Sequence, residues 1–132
     1  PAMRFMRGIL VGTPAPATAL RQRVALTDAQ YLRETEALLA CVEAACDRWL
    51  QEDIVDVDTH RTGGLLELVF PDGSKIVVNT QPPLQEMWVA ARAGGFHYGW
   101  DGRCWRDTRD GHELLEMLSR QASAQAGREL VF

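Results

Sequence analysis

From residue 27 onward the hydrophobic pattern of the chain changes period twice. Thr27-Asp28-Ala29-Gln30 has the form of a capping box, a hydroxyl followed three residues later by an amide, and it opens a stretch with helical spacing. At about 100° per residue, Tyr31, Leu38, Val42 and Trp49 share one sector, flanked by Thr35, Leu39, Ala45 and Cys46. The spacing predicts a helix from Thr27 to about Leu50, with Glu36, Glu43 and Asp47 gathered on a different face. The pattern then alternates, Val55, Val57 and Thr59 against Asp56, Asp58 and His60, as in a strand with one buried face. Further strands are predicted at Leu65–Phe70, Lys75–Thr80, Glu86–Ala91, Phe96–Trp100 and Cys104–Asp107. Gly63-Gly64, Asp72-Gly73, Gly94-Gly95 and Asp101-Gly102 fall between them and read as the tight turns of an antiparallel meander. Asp110-Gly-His-Glu113 offers a second helix-capping signal, and Leu114, Leu115, Leu118 and Ala122 continue it as an apolar face to about Ala122.

A helix, a meander and a second helix define an α+β fold: a two-layer sandwich with both helices on one face of an antiparallel sheet. Residues 1–25 stand outside this pattern. They hold Arg4, Arg7, a short run Ile9-Leu10-Val11 and a Pro/Ala/Thr segment without helical or strand period, so they read as an extension to a domain spanning 26–132. Export is not expected, because that apolar run is shorter than the roughly 7–15 residues of a secretory signal.

The chain has 132 residues, enough for one domain with its own core. It has no apolar run of the about 20 residues that cross a bilayer, so no membrane role is expected. Its net charge of −4 argues against nucleic acid as the main partner. Cys41, Cys46 and Cys104 form neither a CxxC pair nor an even set; each is expected to be a small buried hydrophobe in a reducing cytoplasm.

Charge is distributed unevenly. Glu34, Glu36, Glu43, Asp47, Glu52, Asp53, Asp56 and Asp58 meet only Arg48 within their stretch, giving it −7 while the rest of the chain sums to +3. The Glu43/Asp47 spacing places like charges one turn apart at a cost of about 0.2–0.5 kcal/mol. Carboxylate oxygens in this arrangement suit hard or borderline cations such as iron, although no fixed ligand spacing separates the stretch from a solvated acidic face. His60, His97 and His112 are scattered, and no Ser-His-Asp or Cys-His set can be assembled from them. His97 is expected to be structural. Trp49, Trp100 and Trp105 are expected in the core, whereas Trp88 follows a Pro-rich turn and is the tryptophan with the weakest claim to burial.

The run Gly73-Ser74-Lys75-Ile76-Val77-Val78-Asn79-Thr80-Gln81-Pro82-Pro83-Leu84-Gln85-Glu86-Met87-Trp88 resembles the frataxin family's strand and Asn-x-Gln-x-Pro…Trp signature. Gly94-Gly95-Phe96-His97-Tyr98 and Asp101-Gly102-Arg103-Cys104-Trp105 follow where that family has Gly-Gly-aromatic-His-aromatic and Asp-Gly-x-x-Trp. The resemblance is to the bacterial frataxins. It implies a non-enzymatic protein of iron–sulfur cluster assembly that binds Fe2+ or Fe3+ weakly, without an organic cofactor, and regulates the cysteine desulfurase and its scaffold protein. The implied metal-binding ridge comprises Glu36, Glu43, Asp47, Asp56 and Asp58, with Glu52 and Asp53 in the connecting segment; Asn79, Gln81 and Trp88 match partner-contact positions on the sheet. A monomer is expected, with iron-driven oligomerisation an open alternative; a ferroxidase and an oligomeric iron store are the rival functions. Ala44 and Arg48 stand where bacterial relatives often carry acids, Thr80 where a basic residue is common and Glu86 where Gln is common, so the ridge is diluted.

Overall fold

The computed structural model describes residues 22–132. Helix α1 spans Asp28–Gln51, and Thr27 caps it in the reciprocal manner its sequence predicts: its hydroxyl accepts from the Gln30 N–H while the Gln30 side chain accepts from the Thr27 N–H. Six strands follow: β1 Asp58–Thr62, β2 Leu65–Val69, β3 Lys75–Gln81, β4 Glu86–Ala91, β5 Gly94–Trp100 and β6 Trp105–Asp107. They pair in sequence order as one antiparallel sheet. Helix α2, Leu114–Ala126, closes the layer of helices. The α+β sandwich expected from periodicity is therefore the fold.

The core lies between the helices and one sheet face. The stripe Tyr31, Thr35, Leu38, Leu39, Val42, Ala45, Cys46 and Trp49 is buried along α1, and Leu66, Leu68, Ile76, Val78, Met87, Val89 and Tyr98 meet it from the sheet. Each large apolar side chain taken fully out of water contributes about 1.5–3 kcal/mol. Gly64, in the first β-turn, leaves room for the Thr80 side chain of β3, which a Cβ at that position would crowd.

Several boundaries differ from the periodicity reading. β1 begins at Asp58 rather than Val55, because Asp53 adopts the left-handed conformation (φ 57°) and residues 52–54 turn their N–H groups back onto the last carbonyls of α1. The phase is nevertheless right, with Val57 buried and Asp56 and Asp58 exposed. Gly94 and Gly95 are not a turn but the first residues of β5, paired with Ala91 and Ala90; the turn is Arg92-Ala93, and the Arg92 N–H is anchored on the Gln125 side chain of α2 at 3.0 Å. β6 begins at Trp105, one residue later than expected, since the Cys104 N–H is drawn to the Asp101 carboxylate.

Asp110 does not cap α2. Its carboxylate binds His112, and Glu113 caps the helix by accepting from the N–H groups of Leu115 and Glu116. The helix also runs to Ala126 rather than Ala122, ending at Gly127 with φ 73°. Its last turn hides from hydrophobic periodicity because Gln125 faces inward, buried, bonding Ser74 and the Lys75 carbonyl. Cys41 is exposed and Cys104 half-buried, so only Cys46 is the buried cysteine expected. Trp49 and Trp105 are core residues, whereas Trp100 is half-buried and packs against the core edge.

Candidate functional site

Two surfaces carry the residues singled out from sequence. The first is the edge formed by α1, the connecting segment and β1. Glu36 and Glu43 are two helical turns apart, hence on one face, and Asp47 lies one turn beyond. Asp47, Glu52, Asp53, Asp56 and Asp58 are all exposed, and none forms an ion pair or side-chain hydrogen bond with another described residue. Arg128 ties the segment down by donating to the Ile54 carbonyl at 2.6 Å.

Glu36 and Glu43 are different. Both pair with Arg61, which donates through Nη2 to Glu36 and through Nη1 to Glu43 at 2.8 Å, while its Nε donates to the Gly63 carbonyl at 3.0 Å. Burial works to lower the Arg61 pKa, but the two carboxylates outweigh it and hold the guanidinium above its ordinary value. The acidic stretch is therefore not uncompensated along its whole length. The cation came from outside the acidic window, yet parity could have found it: Arg61 follows Val57 and Thr59 in period two, on the face of β1 that meets the helices.

The second surface is the sheet face away from the helices. The register aligns Thr62, Leu65, Asn79, Trp88 and His97 in one cross-strand row, with Gln81, Glu86, Gly99 and Arg106 in a neighbouring row. Trp88 is half-buried and lies outside the hydrophobic core, and its ring stacks on His97 at a centroid distance of 4.1 Å and 5° between planes. His97 is thus an exposed face residue rather than a structural one. Glu86 is only 8% exposed; it accepts from Trp88 Nε1 at 2.8 Å and from Arg23 at 2.9 Å, and lies 3.8 Å from His97 Nδ1. Arg23 reaches it over Gly99, where a Cβ would meet the Arg23 side chain. Gln81 receives its place from the helix layer: its N–H donates to Tyr31 Oη, which in turn donates to the Glu86 carbonyl at 2.6 Å. Arg23, Glu86 and His97 were not among the expected site residues; Arg23 precedes the first periodic element and gives no pattern of its own.

A third group, Asp107, Asp110 and His112, brings one ligand atom from each residue within 4.8 Å. It is already internally satisfied. His112 Nδ1 lies 2.6 Å from Asp110 and Nε2 lies 2.8 Å from Tyr98 Oη, so a single neutral tautomer serves both. Asp107 accepts from the N–H groups of Arg109 and Asp110, which makes the group a fastening of the β6–α2 loop. The buried Cys46 thiol is pushed up to about 12 by burial and by Asp47 and Glu43, which leaves it without reactivity near neutral pH.

The family profile described as the Frataxin-like domain matches residues 24–128, and the chain belongs to that family. The iron–sulfur cluster assembly protein CyaY of Variovorax paradoxus is 48% identical over 107 residues, covering 81% of this chain and 97% of its own. A frataxin from Psychromonas ingrahamii superimposes with a TM-score of 0.71 at 29% identity, over 80% of this chain and 97% of that one. A trimeric yeast frataxin solved in a ferrous complex shares the fold, with a TM-score of 0.57 at 22% identity over 88% of this chain and all of that one. Among the described residues no helix is long and apolar enough to cross a membrane.

Proposed function

We propose that this protein acts in iron–sulfur cluster assembly as a binding and regulatory component: the acidic edge meets a basic surface on the cysteine desulfurase, the sheet face around Asn79, Gln81 and Trp88 contacts the scaffold, and iron occupies the carboxylates weakly. The observation that carries this reading is the set of five exposed carboxylates from Asp47 to Asp58 without ion-pair partners among the described residues. Unpaired surface charge of one sign adds little to folding, and it steers an oppositely charged partner. The relatives are named as assembly proteins, and a yeast protein of this fold was solved in a ferrous complex, which makes iron the first cation to test.

Cation binding at this edge is shallow and exchangeable, because exposed carboxylates stay hydrated and no cage closes over the ion. Turnover of iron as a ferroxidase would need ligands held by orienting partners, and the five open carboxylates have none among the described residues. The test is a pull-down and titration with the cysteine desulfurase of the same organism. A complex that forms at low salt and weakens as salt rises supports the reading; no complex at low salt overturns it. Saturable Fe(II) oxidation lost in Asp47→Ala would favour the enzyme instead, and iron-dependent growth in light scattering would favour storage.

A further inference from the structure

We infer that Arg61 is a tethered counter-cation that keeps Glu36 and Glu43 closed to metal cations and confines cation loading to the Asp47–Asp58 half of the ridge. The inference rests on the iron reading above for the identity of the cation, and on geometry alone for the lock. All three guanidinium nitrogens are engaged, two by the carboxylates of one helix face and one by the Gly63 carbonyl. The fork matches the helix: carboxylates two turns apart are bridged by the two terminal nitrogens of one planar group while its Nε holds the Gly63 carbonyl, a fixed spacing that an ammonium lacks. Its side chain is 23% exposed, against 54% for Glu36 and 31% for Glu43, so the cation sits beneath the acids it neutralises.

A mobile cation arriving at Glu36 competes with a charge delivered by the chain itself. Arg61 is fixed within β1 by pairing with Leu66, so its effective concentration at the two carboxylates is high and does not fall when free ions are diluted. If one carboxylate were released to a metal, the guanidinium would remain beside it and repel the incoming dication. Asp47, Asp53 and Asp56 present no such barrier, since a cation there displaces only water and solution ions. A ridge that looks continuous along the sequence thus has a closed half and an open half.

The test is an anaerobic Fe2+ titration of the full chain followed by amide NMR. Glu36 is the reporter of the closed half because it lies 11 residues from Asp47, or about 16 Å along the helix. In the parent protein Asp56 and Asp58 should broaden well before Glu36. In Arg61→Gln, Glu36 should respond at roughly two- to fivefold lower iron than in the parent, the range expected for loss of exposed ion pairs, with Asp56 unchanged. Arg61→Lys keeps the charge and the apolar stem and serves if Gln unfolds the edge; it lacks the planar fork and should shift Glu36 in the same direction by less. Glu36 broadening together with Asp56 in the parent, or a Glu36 response that neither variant moves, would overturn the lock. A parent whose whole ridge stays silent to iron overturns the iron reading instead, and the lock is then decided by whether Arg61→Gln opens Glu36.

Discussion

The ridge and the outer sheet face are both polar, but they are built in opposite ways. From Asp47 to Asp58 the carboxylates stand in water with no described partner, whereas on the sheet face Glu86 is nearly buried beneath Arg23 and Trp88, and Trp88 is stacked on His97. An array of hydrated charges acts through a field that reaches about 10 Å at 0.1 M salt and is screened as salt rises. A stacked, hydrogen-bonded aromatic acts by contact and shape. The two surfaces therefore respond to different variables, salt for one and side-chain volume for the other.

The largest expected effect is on the sheet face. Trp88→Ala should weaken partner binding by about 2 kcal/mol, roughly 30-fold, with little change between low and high salt, as for an aromatic hot spot. Because Trp88 lies outside the hydrophobic core, its melting temperature should stay near the parent value. A variant that unfolds early would make Trp88 structural and remove the contact reading.

Next in size is a change at the joint between the two surfaces. Tyr31 sits on the ridge helix, and its hydroxyl links the Glu86 carbonyl and the Gln81 N–H beneath the sheet face. Tyr31→Phe removes the hydroxyl that both backbone groups use and should cost about 1–2 kcal/mol in denaturant unfolding. An unchanged midpoint would show that the joint does not hold the two surfaces in register.

How far sequence reaches also differs between the surfaces. The helix stripe from Tyr31 to Trp49, its capping box and the β4 boundaries are legible because each depends on neighbours within a few residues. The exposed acids were legible for the same reason. The Arg61 bridge and the Arg23–Glu86–His97 group were not, since each joins residues 11 to 63 positions apart or packs a side chain of no periodic element over a glycine. Gln125 shows the general difficulty: a polar residue satisfied inside the fold looks like the end of a helix until its partners, Ser74 and the Lys75 carbonyl, are known.

On the ridge, Asp47→Lys with Asp56→Lys should weaken desulfurase binding by about 1 kcal/mol at low salt, and the difference from the parent should shrink as salt rises. Titrations at two ionic strengths decide this. Salt dependence equal to that of Trp88→Ala would dissolve the distinction between the surfaces even if both variants bind poorly.

The smallest expected effect asks whether the ridge acids are as free as their exposure implies, using a buried carboxylate as the standard. Asp101, at the β5–β6 turn, would be raised by burial, but the N–H groups of Cys104 and Arg103 and the Arg106 guanidinium outweigh that and hold it below 3.8. A carboxylate depressed on folding contributes stability that is complete above its unfolded pKa and is lost as pH falls through the folded one. The parent should therefore lose stability from about pH 4 downward, and Asp101→Asn should flatten that fall. The flattening is partial, because Asp72, held low by Ser74 and Arg92, and Asp110, held low by His112, still titrate in the variant. Asparagine retains an oxygen for the two N–H groups and loses the charge and the acceptor facing Arg106, so the turn keeps two of these three bonds for the comparison. Asp56→Asn, which removes a carboxylate without an ion-pair or side-chain hydrogen-bond partner among the described residues, is the comparison measured through the same window. Denaturant unfolding at a series of acid pH values reads both variants. If Asp56→Asn flattens the curve as much as Asp101→Asn, the ridge acids contribute to folding, and the charge left open for a cation or a basic partner is smaller than their exposure implies.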